Sequence, residues 1–158
     1  MILMGIVGHK NAGKTTLVER LVVALRARGL VVSTLKHTHH AVDLEVPGTD
    51  THRHRLAGAA QVLLATDRRL ALLEELPAPA TLEALLARLG PCDVALAEGW
   101  KHGTHPRIEA WRPETGRPPL ARADPTIRAV AATGDPGVRQ PVLPLDDAAA
   151  VAEFVCSS

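Results

Sequence analysis

Gly8, His9, Lys10, Asn11, Ala12, Gly13, Lys14 and Thr15 follow the pattern G-x-x-x-x-G-K-T, and phosphate binding gives each residue type a task. The glycines permit dihedrals that a β-carbon opposes and let backbone N–H groups wrap phosphate oxygens. Lys14 is placed to hold the β and γ phosphates of a nucleotide, Thr15 to offer its hydroxyl to Mg²⁺, and Thr16 to reach the α phosphate. A helix beginning there adds the positive end of its dipole. The expected ligand is a nucleotide with magnesium, held in a P-loop.

Three further groups of residues could share that chemistry. Val94, Ala95, Leu96 and Ala97 run into Glu98 and Gly99, an apolar strand ending in a carboxylate, as in a Walker B segment with Glu in place of the usual Asp. Glu98 there can hold Mg²⁺ through a water, and the N–H of Gly99 can meet the γ phosphate. The plainer reading is a buried strand with a solvated Glu at its exit. Next comes a loop with Lys36, His37, His39 and His40, then Asp43, Glu45, Asp50, Arg53 and His54. It offers imidazole and carboxylate to a metal, but no thiolate and no standard ligand spacing. It also reads as a switch-like segment facing an oxyanion, or simply as a solvated loop. Asp43 or Asp50 could position a hydrolytic water. Last, Asp135 follows an apolar run and could accept hydrogen bonds from guanine N1–H and its amine, or serve as a turn residue beside Gly134, Pro136 and Gly137.

The elements that must position these groups are legible from periodicity. Ile2 to Val7 is an apolar run suited to a strand buried on both faces. From Thr15 to Arg28, Leu17, Val18, Leu21, Val22 and Leu25 recur at helical spacing, and Gly29 marks a stop. Residues 30–35 read as a second strand, giving a βαβ opening with a right-handed crossover. After the loop, a helical turn runs through His54 and Ala57. Strands are expected at residues 60–65, 69–73, 94–97, 107–111 and 129–132 and near Val142. Helices are expected at residues 81–89 and 147–154, capped by Thr81 and Asp146. Residues 113–123, rich in Pro and Arg, read as a surface loop. The class is therefore α/β, a P-loop NTPase three-layer fold with a mostly parallel central sheet. The only four lysines, Lys10, Lys14, Lys36 and Lys101, lie in or beside loops at strand ends, and the eight histidines are read into the same loops. In an open α/β sheet, ligands bind at the carboxyl ends of strands.

Composition sets the outer bounds. The chain has 158 residues, 46% hydrophobic and 22% charged, which suits one globular domain spanning residues 1–158. A formal charge of +1 does not point to nucleic acid or a membrane surface. Cys92 and Cys156 carry no disulfide framework, the apolar start lacks a basic leader, and no apolar run reaches the roughly 20 residues of a membrane helix. A cytoplasmic location is expected.

Taken together, GHKNAGKTTL, KHTHHAVDLEVPGTDTHRHRLAGA and AEGWKHGTHPRIEAWR, in this order, resemble the molybdopterin-guanine dinucleotide biosynthesis adaptor family, MobB. The resemblance implies a homodimeric GTP-binding protein with weak or no hydrolysis of its own. It further implies a role beside a MobA-type molybdenum cofactor guanylyltransferase, which joins GMP to molybdopterin, with molybdopterin itself a candidate partner. Carried over by position, Gly8 to Thr16 bind phosphates and Mg²⁺, Glu98 and Gly99 form the Walker B end, and the histidine-rich segment joins Lys101, Pro106 and Arg107 on the same face. Lys14, Glu98 and Asp50 are the candidates for any hydrolytic role. The alternatives are a metallochaperone-type GTPase using the His-rich loop and a small-molecule kinase.

Overall fold

A computed structural model describes residues 1–38 and 42–158. The chain divides into two compact units, Met1–Thr38 with Leu86–Ser158, and His39–Leu85. The larger unit is built on a six-stranded sheet. β1 (Ile2–Val7) leads through the glycine loop into α1 (Lys14–Ala27), and β2 (Val32–Lys36) follows. Leu17, Val18, Leu21 and Leu25 are the buried face of α1, as the spacing requires. The helix stops at Gly29, whose φ is +80°, and the Leu30 N–H turns back to the Leu25 carbonyl. That closure, together with the Val31 N–H donating to the Asp93 carboxylate at 2.7 Å, starts β2 at Val32, two residues later than periodicity suggests.

The same unit contains β5 (Val94–Glu98), β6 (Arg107–Trp111), β7 (Ile127–Ala132), β8 (Val142–Pro144) and α4 (Ala148–Cys156). Strand order is β2-β5-β1-β6-β7-β8, and every pairing is parallel. Both β5 and β6 are buried at each residue, which explains the apolar run of β5 up to Glu98, whereas β6 carries the buried Arg107 and Glu109 between its apolar residues. On one face, α1 and α4 cover Met4, Ile6, Leu96 and Ile108 with Leu21, Leu25, Val151 and Val155. On the other, Val7, Trp111, Ile127 and Val130 pack against Ala121 and Leu120. This is the expected α/β arrangement with a mostly parallel sheet and flanking helices.

Two local expectations need correction. Residues 113–123 are not merely a surface loop, because they form 3-10 turns at Pro113–Thr115 and Leu120–Arg122 and drive Ala121 into the interior. Glu109, fully buried on β6, draws them in by accepting the Leu120 N–H at 2.8 Å and the Ala121 N–H at 2.9 Å. Burial pushes the Glu109 carboxyl up, and those two N–H groups and His9 only partly offset it. The cap of α4 is Asp147, which accepts from the Ala149 and Ala150 N–H groups, while Asp146 instead pairs with Arg20 at 2.7 Å.

In the smaller unit, α2 (Asp50–Leu56) precedes an antiparallel hairpin of β3 (Gln61–Ala65) and β4 (Leu70–Glu74). α2 forms where a helical turn is expected through His54 and Ala57, and it takes in His52 as well rather than leaving it in the loop. Arg55 joins Glu45, Glu75 at 3.1 Å and Asp43 at 3.9 Å, and holds the Glu45 carboxyl below its ordinary range. Thr81 accepts the Ala84 N–H at 3.2 Å, capping α3 (Leu82–Leu86), which is shorter than the expected helix. No helix of the described residues is long and apolar enough to cross a membrane.

Candidate functional site

β1 is central in the sheet, so its carboxyl end delivers the glycine loop to the middle of the ligand-binding edge. Gly8 has φ +142°, and a β-carbon there would lie 2.4 Å from the Ala110 carbonyl oxygen, so the loop can leave the strand only through glycine. Asn11 follows at φ 65°, a conformation Asn tolerates better than most residues. Gly13, at φ 92°, is the N-cap of α1 and makes no side-chain cap, so first-turn N–H groups remain for an anion.

Around this loop stand three lysines and one carboxylate. Glu98 ends β5 in register with Ile6 on one side and Lys36 on the other, and it is 8% exposed. Its Oε1 accepts the Thr15 hydroxyl at 3.0 Å and lies 3.6 Å from the Lys36 ammonium. Lys14 donates to the His9 carbonyl of its own loop at 2.7 Å. Burial lowers the Lys14 pKa; Glu98 opposes the shift, while Lys101 and Lys36 add to it. A cluster of ammonium groups with one carboxylate has unspent positive potential, which a polyanion would neutralise. The Gly99 N–H does not await a γ phosphate, since it donates to the Ile6 carbonyl at 3.2 Å.

Arg112 is a site residue that sequence reading missed. It shares a cleft of ≈ 440 Å³ with Asn11, Gly13, Lys14, Thr15 and Thr16. A β-carbon on Gly13 would lie 3.1 Å from the Arg112 Nε, which is itself buried without a hydrogen-bond partner. The available signal was its position, immediately after a central strand at the ligand-binding edge.

The other expected residues have contacts of their own. Arg107 is 2% exposed and acts as a clamp, bonded to the Lys101 carbonyl, the Gly103 carbonyl at 3.2 Å, Thr126 and Asp124. It positions the loop that carries Lys101. The His37 ring lies 5.1 Å from that of Trp100. Asp135 is exposed and closes a turn by accepting the Gly137 N–H at 2.8 Å, satisfying the turn reading. Asp50 and Arg53 belong to the smaller unit, where they face each other at 3.9 Å. His39 and His40 lie outside the described residues. Among the described residues, no three His, Cys, Asp or Glu side chains converge as a metal site.

Comparison with known proteins agrees with this architecture. Residues 3–133 match the family described as molybdopterin guanine dinucleotide synthesis protein B. A Haemophilus influenzae protein named molybdopterin-guanine dinucleotide biosynthesis adapter protein is 36% identical over 155 residues, covering 97% of this chain and 86% of that protein. An Escherichia coli protein of the same name is 35% identical over 158 residues, covering 97% of this chain and 90% of its own length. A crystal structure of a molybdopterin-guanine biosynthesis protein B superposes with a TM-score of 0.79 at 25% identity over 99% of each chain. With the glycine loop, Glu98 and the Lys101 loop inside the matched span and relatives aligned almost end to end, the chain belongs to the molybdopterin guanine dinucleotide synthesis protein B (MobB) family.

Proposed function

We propose that this protein binds GTP with Mg²⁺ and acts as an adapter to the MobA-type guanylyltransferase that joins GMP to molybdopterin. The meeting of Lys14, Thr15 and Glu98 at the glycine loop carries the reading. A hydroxyl and a carboxylate are oxygen donors suited to a hard divalent cation, so Thr15 would bind Mg²⁺ directly and Glu98 through a water. Bound there, the ion would neutralise phosphate charge. Lys14 would leave the His9 carbonyl for the β and γ oxygens, and Arg112, whose buried Nε has no partner, would lend its guanidinium to the same phosphate chain. Asp135 keeps an exposed carboxylate after β7 for the guanine edge.

Hydrolysis would be slow. Fast phosphoryl transfer needs a positioned nucleophile and a charge-stabilising arginine together, and the family resemblance implies weak or no hydrolysis by the chain alone. The family description and the relatives' names support a role in molybdenum cofactor biosynthesis. The homodimer is what the resemblance implies, and a cytoplasmic location is the expectation from the sequence. Leu63 and Leu72, paired across the hairpin and 58% and 48% exposed, supply an apolar face for the second copy. The metallochaperone alternative gains no support among the described residues.

Reconstitution tests the role: guanylation of molybdopterin by the partner enzyme should rise when this protein and GTP are added, and no change would end the adapter reading. Calorimetric titration tests the site. Lys14→Ala should lose about 1.5–3 kcal/mol of GTP affinity, roughly 10- to 150-fold in Kd, with thermal stability kept.

A further inference from the structure

On the sheet face opposite α1, next to the glycine loop, lies a second cleft of ≈ 530 Å³, within the roughly 300–1,000 Å³ of small-molecule sites. Its deep residues are apolar, with Val7 and Ile127 each 1% exposed and Leu120 half-buried beside them. Its rim is basic, formed by the exposed Lys101, His102 and Arg117. The single carboxylate there, Asp124, is already paired with Arg107 at 3.1 Å and accepts the Thr126 N–H at 3.0 Å. Net positive potential is therefore left for a ligand.

The walls are built in advance. Trp111 Nε1 donates to the Arg117 carbonyl at 2.9 Å, His9 Nε2 lies 3.1 Å from the Pro118 carbonyl, and Glu109 anchors Leu120. A ligand entering would not have to order this segment, so little of its binding energy is lost to entropy. The cleft shares no lining residue with the one formed by the glycine loop and Arg112, yet His9 belongs to both the loop and this wall. Two ligands can thus sit side by side.

We propose that this cleft holds a phosphorylated pterin, its flat ring against Val7, Leu120 and Ile127 and its phosphate on Lys101 and Arg117. The inference rests on the GTP-adapter reading above. The family is described by the synthesis of a dinucleotide that unites a guanine nucleotide with a phosphorylated pterin. With the nucleotide phosphates assigned to the glycine loop, an apolar slot with a cationic rim beside it has the chemistry of the other half.

Neopterin monophosphate, followed by its own fluorescence anisotropy on the full chain with saturating GTP and Mg²⁺, tests the proposal. Binding is expected, with GTP changing its affinity by less than roughly two-fold. Ala123→Trp fills the mouth of the cleft from an exposed position, and Arg117→Ala removes a rim charge. Each should weaken pterin binding at least about ten-fold while leaving GTP titration and melting temperature unchanged. Neopterin lacking the phosphate should bind at least about ten-fold more weakly than the monophosphate. Absence of binding, competition with GTP, equal binding without the phosphate, or indifference to both substitutions would each overturn it. If GTP does not bind the wild-type chain, the adapter reading falls instead, and the same titration without GTP still reports on the cleft.

Discussion

Lys14 and Arg112 show how single residues are held ready for an anion. Lys14 is desolvated and faces two other lysines, so its charge is carried at a cost that a phosphate would relieve. Arg112 has a buried Nε without a partner, and leaving a charged donor unsatisfied is normally expensive. Both features make sense for groups whose partner arrives with the ligand. Arg112→Ala should lower GTP affinity by about ten-fold, the worth of one charge-assisted hydrogen bond. Arg112→Lys should recover only part of it, since a lysine lacks the planar fork. Calorimetry with both variants is the check, and unchanged affinity would remove Arg112 from the site. Lys14 was legible because its motif is local, whereas Arg112 acts through a contact between the end of β6 and the N-terminus of α1, which no short pattern records.

Among the elements, the segment after β6 is the one whose character turns on burial. Its Pro and Arg content suggested a solvated loop, yet Glu109 beneath it gathers two backbone N–H groups and folds it over the sheet. Glu109→Gln would set an amide NH₂ against one of those N–H groups, costing about 1–3 kcal/mol. The sign of the pH dependence follows from the raised pKa of Glu109. Between its ordinary and its raised value the folded chain binds more protons than the unfolded chain, so its contribution to stability is present at acidic pH and lost as pH rises. Thermal melts should show the wild-type advantage over Glu109→Gln largest at mildly acidic pH and narrowing toward neutrality. At this chain length each kcal/mol moves the melting temperature by about 2–4 °C. A gap that widens with pH would contradict the assignment.

For the molecule as a whole, the proposed dimer would use the hairpin of the smaller unit. A two-stranded ribbon is marginal in water, and Leu63 and Leu72 stand exposed on one of its faces. Leu63→Glu with Leu72→Glu should convert the proposed dimer to monomer in analytical ultracentrifugation, while GTP binding by the larger unit persists. A wild-type chain that sediments as a monomer at all concentrations would remove the dimer from the reading.

By itself the sequence determined the glycine loop, the first βαβ unit, the parallel sheet and Glu98 at a strand exit. These follow from local rules, because glycine dihedrals, helical spacing and continuous apolar runs are written over a few neighbouring residues. Only the tertiary structure decided that Lys36 and Glu98 share a register, that Arg112 overlies Gly13, that Arg107 is a buried clamp and that residues 117–120 wall a second cleft. Strand order and burial bring those groups together across long stretches of chain, and neither is encoded in the spacing of any one motif.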